Sequence, residues 1–177
     1  MLRDLSKFHN SMNARQRAMI ALWGTVQNGL LVHSFVPSSA RVFTYRIFGA
    51  DIGNSVFMRR GIRVSYPWNL SIGNNSWIGE DVRFINHEFI KIGNNVCISQ
   101  EAVICSSGHD FRSASLEYKH HPISIADGSW VCVRALVLPG SVLGSNSVVS
   151  AGEIFSGQLA DSHIYKNGES QLIEYSE

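Results

Sequence analysis

Through the middle of the chain a large apolar side chain returns at every sixth position. The series runs Ile52, Met58, Val64; Ile72, Ile78, Phe84; Ile92, Ile98, Ile104, and resumes as Ile125, Val131, Val137, Leu143, Val149 and Phe155. A helix repeats every 3.6 residues and a strand every two, so neither explains a beat of six. A coiled sheet does. If each hexad is one short strand plus a turn, three hexads close a triangular turn of about 18 residues, and the apolar side chains stack inside it about 4.8 Å apart. The motif Ile-Gly-Asn recurs at Ile52, Ile72 and Ile92, a spacing of twenty, so two residues bulge from one corner of each early turn; the interval Ile125 to Leu143 returns to a bare 18. The Gly and Asn residues are expected at the corners, supplying positive φ and side-chain hydrogen bonds. The pattern predicts an all-β parallel helix of about five coils.

One break in the beat is larger. Ile104 to Ile125 spans 21 positions where six would keep the rhythm, so the surplus within 105–122 leaves the wall as an extruded loop, with His109 at its root. Loops thrown from a rigid scaffold are where chemistry is most often carried. Ahead of the repeats, Met19 to Val36 is apolar but interrupted by Thr25, Gln27, Asn28, His33 and Ser34. It reads as a buried or interfacial helix rather than a membrane span. Pro37 ends it, and Ser38 or Ser39 is expected to cap a second helix through Arg41 to Phe48. A helical cap over one end of the coil is the favoured reading, with peripheral contact to a membrane surface as the rival. The organisation expected is a helical arm over 1–48, the coil over 49–160 and a tail over 161–177.

Composition narrows the function classes. Fifteen Lys and Arg against fourteen Asp and Glu give a net charge of +1, with no overall field to recruit nucleic acid. Cys97, Cys105 and Cys132 are odd in number and lack ligand spacing, which argues against a disulfide framework and a zinc site and fits a reducing cytoplasm. The opening MLRDLSKFHNSMNARQR mixes both signs of charge and precedes no small-residue cleavage site, a poor secretory signal. A cytoplasmic location follows as an expectation, which a membrane-contacting arm would move to the inner face of the membrane.

Taken together, the stretches FGADIGNSV (48–56), YPWNLSIGNNSWIGEDV (66–82), ISQEAVICSSGHDF (98–111), HPISIADGSWV (121–131) and LPGSVLGSNSVVSAG (138–152) resemble the hexapeptide-repeat acyltransferases, in particular the colanic-acid-biosynthesis branch near the maltose and galactoside O-acetyltransferases. The resemblance covers nearly the whole chain. It implies a left-handed parallel β-helix, a homotrimer with sites between subunits, acetyl-CoA as acyl donor without a metal, and a carbohydrate acceptor in exopolysaccharide, capsule or lipopolysaccharide synthesis. His109 falls on the family's general base, and the backbone N–H of Val133 on its oxyanion donor. Trp130, Ala151, Gly152 and Ser156 fall along the groove for the pantetheine arm. The chain departs from the pattern at Ala126 and Cys132, where Gly is usual, at Gly157, where a nucleotide-end Lys is common, and at KNGES (166–170), the place of the usual GNPA tail. Lys166 or Arg134 is a candidate to supply the missing charge. Gly79 stands where the galactoside enzymes carry a substrate-binding Asn, and Glu80 and Asp81 beside it are candidate acceptor contacts.

Plainer readings stand beside these. A lone histidine is more often a satisfied surface residue, and only the break in the beat singles out His109. Asp110 could orient that ring, but adjacent side chains on extended backbone rarely face each other, so a turn or cap role is favoured. His87 at a bulge corner, and His120 and His121 closing the loop, have less to recommend them. Trp68 and Trp77 read as packing between turns, and Cys132 as a small wall residue. Two rivals use the same rod: a zinc carbonic anhydrase, which needs a histidine five residues before His109 where Ile104 stands, and a catalytically silent scaffold. N-acetylation of an amino sugar is the alternative within the transferase reading.

Overall fold

The structure, a computed structural model, describes Ser6 and residues 12–174. Most of the stretch weighed as a secretory signal, and the last three residues of the expected tail, lie outside these. Three parallel sheets form the walls of a prism. The first wall stacks β1 (Asp51–Ile52), β4 (Leu70–Ile72), β7 (Ile90–Ile92), β10 (Ile123–Ile125), β13 (Val142–Leu143) and β16 (Gln158–Leu159). The second stacks β2 (Phe57–Met58), β5 (Trp77–Ile78), β8 (Cys97–Ile98), β11 (Trp130–Val131), β14 (Val148–Val149) and β17 (His163–Lys166), closed by antiparallel β18 (Glu169–Leu172). The third stacks β3 (Arg63–Val64), β6 (Arg83–Ile85), β9 (Val103–Cys105), β12 (Leu136–Val137) and β15 (Ile154–Phe155).

All fifteen hexad positions point inward, none more than 5% exposed. Each such burial is worth about 2 kcal/mol before chain entropy is subtracted. The coil runs to about six turns rather than the five expected. Leu159 and Tyr165 continue the inner ladders beside Leu143 and Val149, but Leu159 follows Phe155 by only four residues, which hides the added turn from a six-residue scan.

The corners refine a second expectation. Between the first and second walls, positive φ falls on the third corner residue, Ser55, Asn75 and Asn95, and not on the glycine of Ile-Gly-Asn. That glycine serves close approach: a Cβ on Gly73 would come within 2.5 Å of the Gly93 carbonyl carbon in the next turn. The first asparagine ties turn to turn. Asn74 Oδ1 accepts the Asn54 N–H at 2.7 Å, Asn94 Oδ1 the Asn74 N–H at 2.9 Å, and Asp127 Oδ1 the Asn94 N–H at 2.8 Å.

The N-terminal arm covers the open edge of the first turn. Helix α1 (Ala14–Val26) starts ahead of the expected apolar run because Asn13 and Gln16 form a capping box, at 2.9 and 3.0 Å. It passes into a π-helical turn (Gln27–Leu31), and α2 spans Ser38–Ile47. Ser38 does not cap α2, nor does Ser39: Pro37 holds the cap position, and Ser38 Oγ accepts the Met58 N–H at 2.8 Å. Val64 donates to Gln27 Oε1 and accepts from Trp23 Nε1, both at 2.7 Å. Tyr45 Oη donates to Ile62 O at 3.1 Å, and Arg46 Nε to Ile52 O at 2.9 Å. Side chains thus satisfy backbone groups that a bare sheet edge would leave open. Trp23, Leu31, Val42 and Tyr45 join the solenoid's core, so the arm caps one end of the prism. Among the described residues no helix is long and apolar enough to cross a membrane.

Candidate active site

The walls meet at three corners, and the expected site residues divide between two of them. The corner joining the second wall to the third carries Gly79, Glu80 and Asp81 after β5, Val133 after β11, Ala151 and Gly152 after β14, and Lys166 at the end of β17. The corner joining the third wall to the first carries Ser156 after β15, and there β9 gives way to the loop with His109 and Asp110. Trp130 stands on the second wall, opposite the third-to-first corner, so one chain does not bring His109 beside it.

The second-to-third corner is polar and regularly paired. Glu80 bridges to Arg59 at 2.7 Å and to Arg60 at 3.4 Å, and the Arg59 contact holds its carboxyl below the usual range. Arg134 bridges to Glu101 at 2.9 Å. The Gly152 N–H donates to Val133 O at 2.9 Å, which fixes the peptide carrying the Val133 side chain outward. Below it, the outer face of the second wall is a ladder of Phe57, Trp77, Cys97, Trp130 and Val148 in register. Trp77 and Trp130 are 64% and 48% exposed, so Trp77 packs less between turns than the sequence suggests. Trp130 Nε1 donates to Ser99 Oγ at 2.8 Å, tethering the indole to the neighbouring turn. Gly79 lines a groove of about 340 Å³ with Phe57, Trp77 and Cys97 on this face. Burial lifts the Cys132 thiol to about 11, so it is protonated and a poor nucleophile at neutral pH.

The third-to-first corner is irregular. The two surplus residues of each early turn bulge here, placing Tyr66, Trp68 and His87 on its outside, and the buried Asn86 clamps one bulge by accepting from Tyr66 N–H at 3.0 Å and donating to Tyr66 O at 2.6 Å. The loop is a hairpin. Asp110 N–H donates to Glu117 O and Lys119 N–H to Gly108 O, both at 2.8 Å, around a His109–Tyr118 bridge. Asp110 Oδ1 accepts the Arg112 N–H at 2.9 Å, forming the turn beside His109.

His109 is exposed, with its ring against Tyr118 at 4.9 Å between centroids. Its Nδ1 lies 2.5 Å from Leu116 O. A carbonyl only accepts, so the proton sits on Nδ1 and the lone pair on Nε2. An imidazole oriented in this way can take a proton from a bound hydroxyl. Around it the rings of Tyr66, His87, His120 and Tyr118 pack in that order, with neighbouring centroids 4.8 to 5.0 Å apart. Sequence reading gave His87 and His120 little weight and missed Tyr66 and Tyr118; the signal available was that the bulges and the loop share one corner. Among the described residues no three His, Cys, Asp or Glu side chains gather as metal ligands.

Triangular turns, a covering arm and a histidine-bearing loop point to a class, the β-helical acyltransferases. The chain is 33% identical over 153 residues to the Escherichia coli protein named for colanic acid biosynthesis as the acetyltransferase WcaF, covering 85% of this chain and 84% of that one. A hexapeptide-repeat acetyltransferase of Vibrio cholerae, solved with acetyl coenzyme A, superposes with a TM-score of 0.80 at 18% identity over 96% of this chain and 94% of its own. A maltose O-acetyltransferase of Clostridium difficile superposes at 0.79 and 21% identity over 98% and 95%. No family model matches the sequence. The chain belongs to the hexapeptide-repeat acetyltransferases, with their left-handed coil, and is an acyltransferase.

Proposed function

We propose that the protein transfers the acetyl group of acetyl-CoA to a hydroxyl of a carbohydrate acceptor in the building of a surface polysaccharide, with His109 as general base. The observation that carries this is the Nδ1–H contact to Leu116 O, which puts the lone pair on Nε2 of an exposed ring packed on Tyr118, itself a wall of the cavity at this corner. Kinship to WcaF, named for colanic acid biosynthesis, supports the pathway class. Nε2 takes the acceptor's proton as its oxygen attacks the thioester carbonyl. The oxyanion is met by the Val133 N–H, and collapse breaks the C–S bond, expelling CoA thiolate to which the imidazolium returns the proton.

Because His109 and the Trp130 wall sit at different corners, the complete site is formed in a threefold assembly, where the loop of one subunit faces the second-to-third corner of the next. The pantetheine arm lies along that corner, past Trp130, Ala151 and Gly152, toward Lys166; Ser156, at the third-to-first corner of its own chain, borders this groove from the facing subunit. The reaction takes place in the cytoplasm. His109→Ala is expected to lower thiol release from acetyl-CoA by about 10² to 10⁴-fold, while the melting temperature holds because the ring is exposed. Unchanged turnover in that variant would remove the base.

A further inference from the structure

His87 and His120 stack with centroids 5.0 Å apart and planes 15° from parallel, and both line a cavity of about 380 Å³ between α1 and the third-to-first corner. Hydrogen bonds fix both tautomers. Ser107 Oγ donates to Ile85 O at 3.1 Å, so its two lone pairs accept the His87 backbone N–H at 3.2 Å and the His87 Nδ1–H at 2.5 Å. His87 therefore carries its lone pair on Nε2. The Gly108 N–H donates to His120 Nδ1 at 3.4 Å, which puts the His120 proton on Nε2. Among the described residues neither Nε2 takes part in a hydrogen bond. One acceptor and one donor thus sit side by side.

Both rings are held below the ordinary histidine value, chiefly by burial in the corner. The titratable groups around them are Tyr66, His109, Tyr118, Glu88 and His121, of which only Glu88 favours protonation, and only of His120. The pair is neutral at neutral pH. Tyr118 links it to the base, packing on His120 at 4.8 Å and on His109 at 4.9 Å. Across the cavity, Met19 and Ile20 of α1 present an apolar wall.

We propose that this cavity seats the acceptor and that His87 and His120 form a neutral clamp on two neighbouring hydroxyls of an uncharged sugar, whose C–H face rests against α1. A hydroxyl both donates and accepts, so adjacent hydroxyls answer an acceptor beside a donor, whereas a carboxylate would face the His87 lone pair. The inference rests on the acetyltransfer reading and extends it to residues and substrate charge.

The test is steady-state kinetics with acetyl-CoA and methyl hexopyranosides, neutral and uronate, on the full chain. His87→Ala and His120→Ala are each expected to raise the acceptor KM about tenfold, leaving kcat and the acetyl-CoA KM within about twofold. His87→Gln and His120→Gln should restore the acceptor KM, since the glutamine amide offers a neutral acceptor or donor near the place of Nε2. The wild-type acceptor KM should rise as pH falls through and below the usual histidine range, and the double glutamine variant should flatten that rise. Independently of turnover, the imidazole C–H resonances of His87 and His120 should shift on addition of the neutral glycosides. Transfer that persists with an unchanged acceptor KM in the alanine variants, or that favours the uronate, overturns the clamp and leaves the acetyltransfer reading standing. Absence of thiol release with every acceptor, together with silent resonances, overturns both.

Discussion

Two corners of one prism obey the same backbone rule and differ in how much chain they hold. At the second-to-third corner each turn adds few residues, and charged side chains pair from turn to turn, as Glu80 with Arg59 and Arg134 with Glu101. At the third-to-first corner each early turn carries two residues more, and one turn carries a whole hairpin. Strict register produces a flat, self-satisfied edge along which an extended ligand can lie. Surplus chain produces relief: bulges that stand tyrosine and histidine rings outward, a cavity beneath an arm, and an imidazole held clear of the wall. The proposed reaction uses both edges, which a single subunit keeps apart.

The sharpest stability test of that comparison strikes the floor the corners share. Phe84 is fully buried inside the third wall, and Phe84→Ala should cost about 3–5 kcal/mol in urea unfolding. A loss under about 1 kcal/mol would mean the walls are not the rigid frame assumed here. Next comes the bulge. Asn86→Ala strips both hydrogen bonds from the Tyr66 backbone and should cost about 1–3 kcal/mol, with weakened acceptor use and unaltered acetyl-CoA use. If both substrates suffer equally, the two corners are not functionally separate. The smallest effect is expected at Arg134→Ala, where an exposed ion pair is lost and thermal melting should not measurably move. A large destabilisation there would show the paired corner to be structural.

Periodicity made the regular parts legible and concealed the rest. The inner ladders were readable because every inward position must be apolar, and the loop because Ile104 and Ile125 are too far apart to be consecutive rungs. The sixth turn was missed where Leu159 follows Phe155 at a short interval, and the glycine of Ile-Gly-Asn was assigned to φ when its cause is the next turn's backbone. Expected second-helix capping by Ser38 failed because the covering arm needs that hydroxyl for Met58. The His87–His120 stack is invisible in one dimension. Those residues lie 33 positions apart and meet only because the bulge and the loop's return leave the prism at one corner.

The claim beneath the whole account is that a working site takes its imidazole from one subunit and its acyl-donor groove from another, and subunit complementation tests it directly. His109→Ala removes the base, and Ala151→Trp fills the exposed groove at the other corner. Each variant alone should be inactive, whereas co-expression should restore about a quarter of wild-type thiol release, the share of seams that pair an intact His109 with an open groove. Co-expressed subunits that exchange freely yet stay inactive would contradict a shared site.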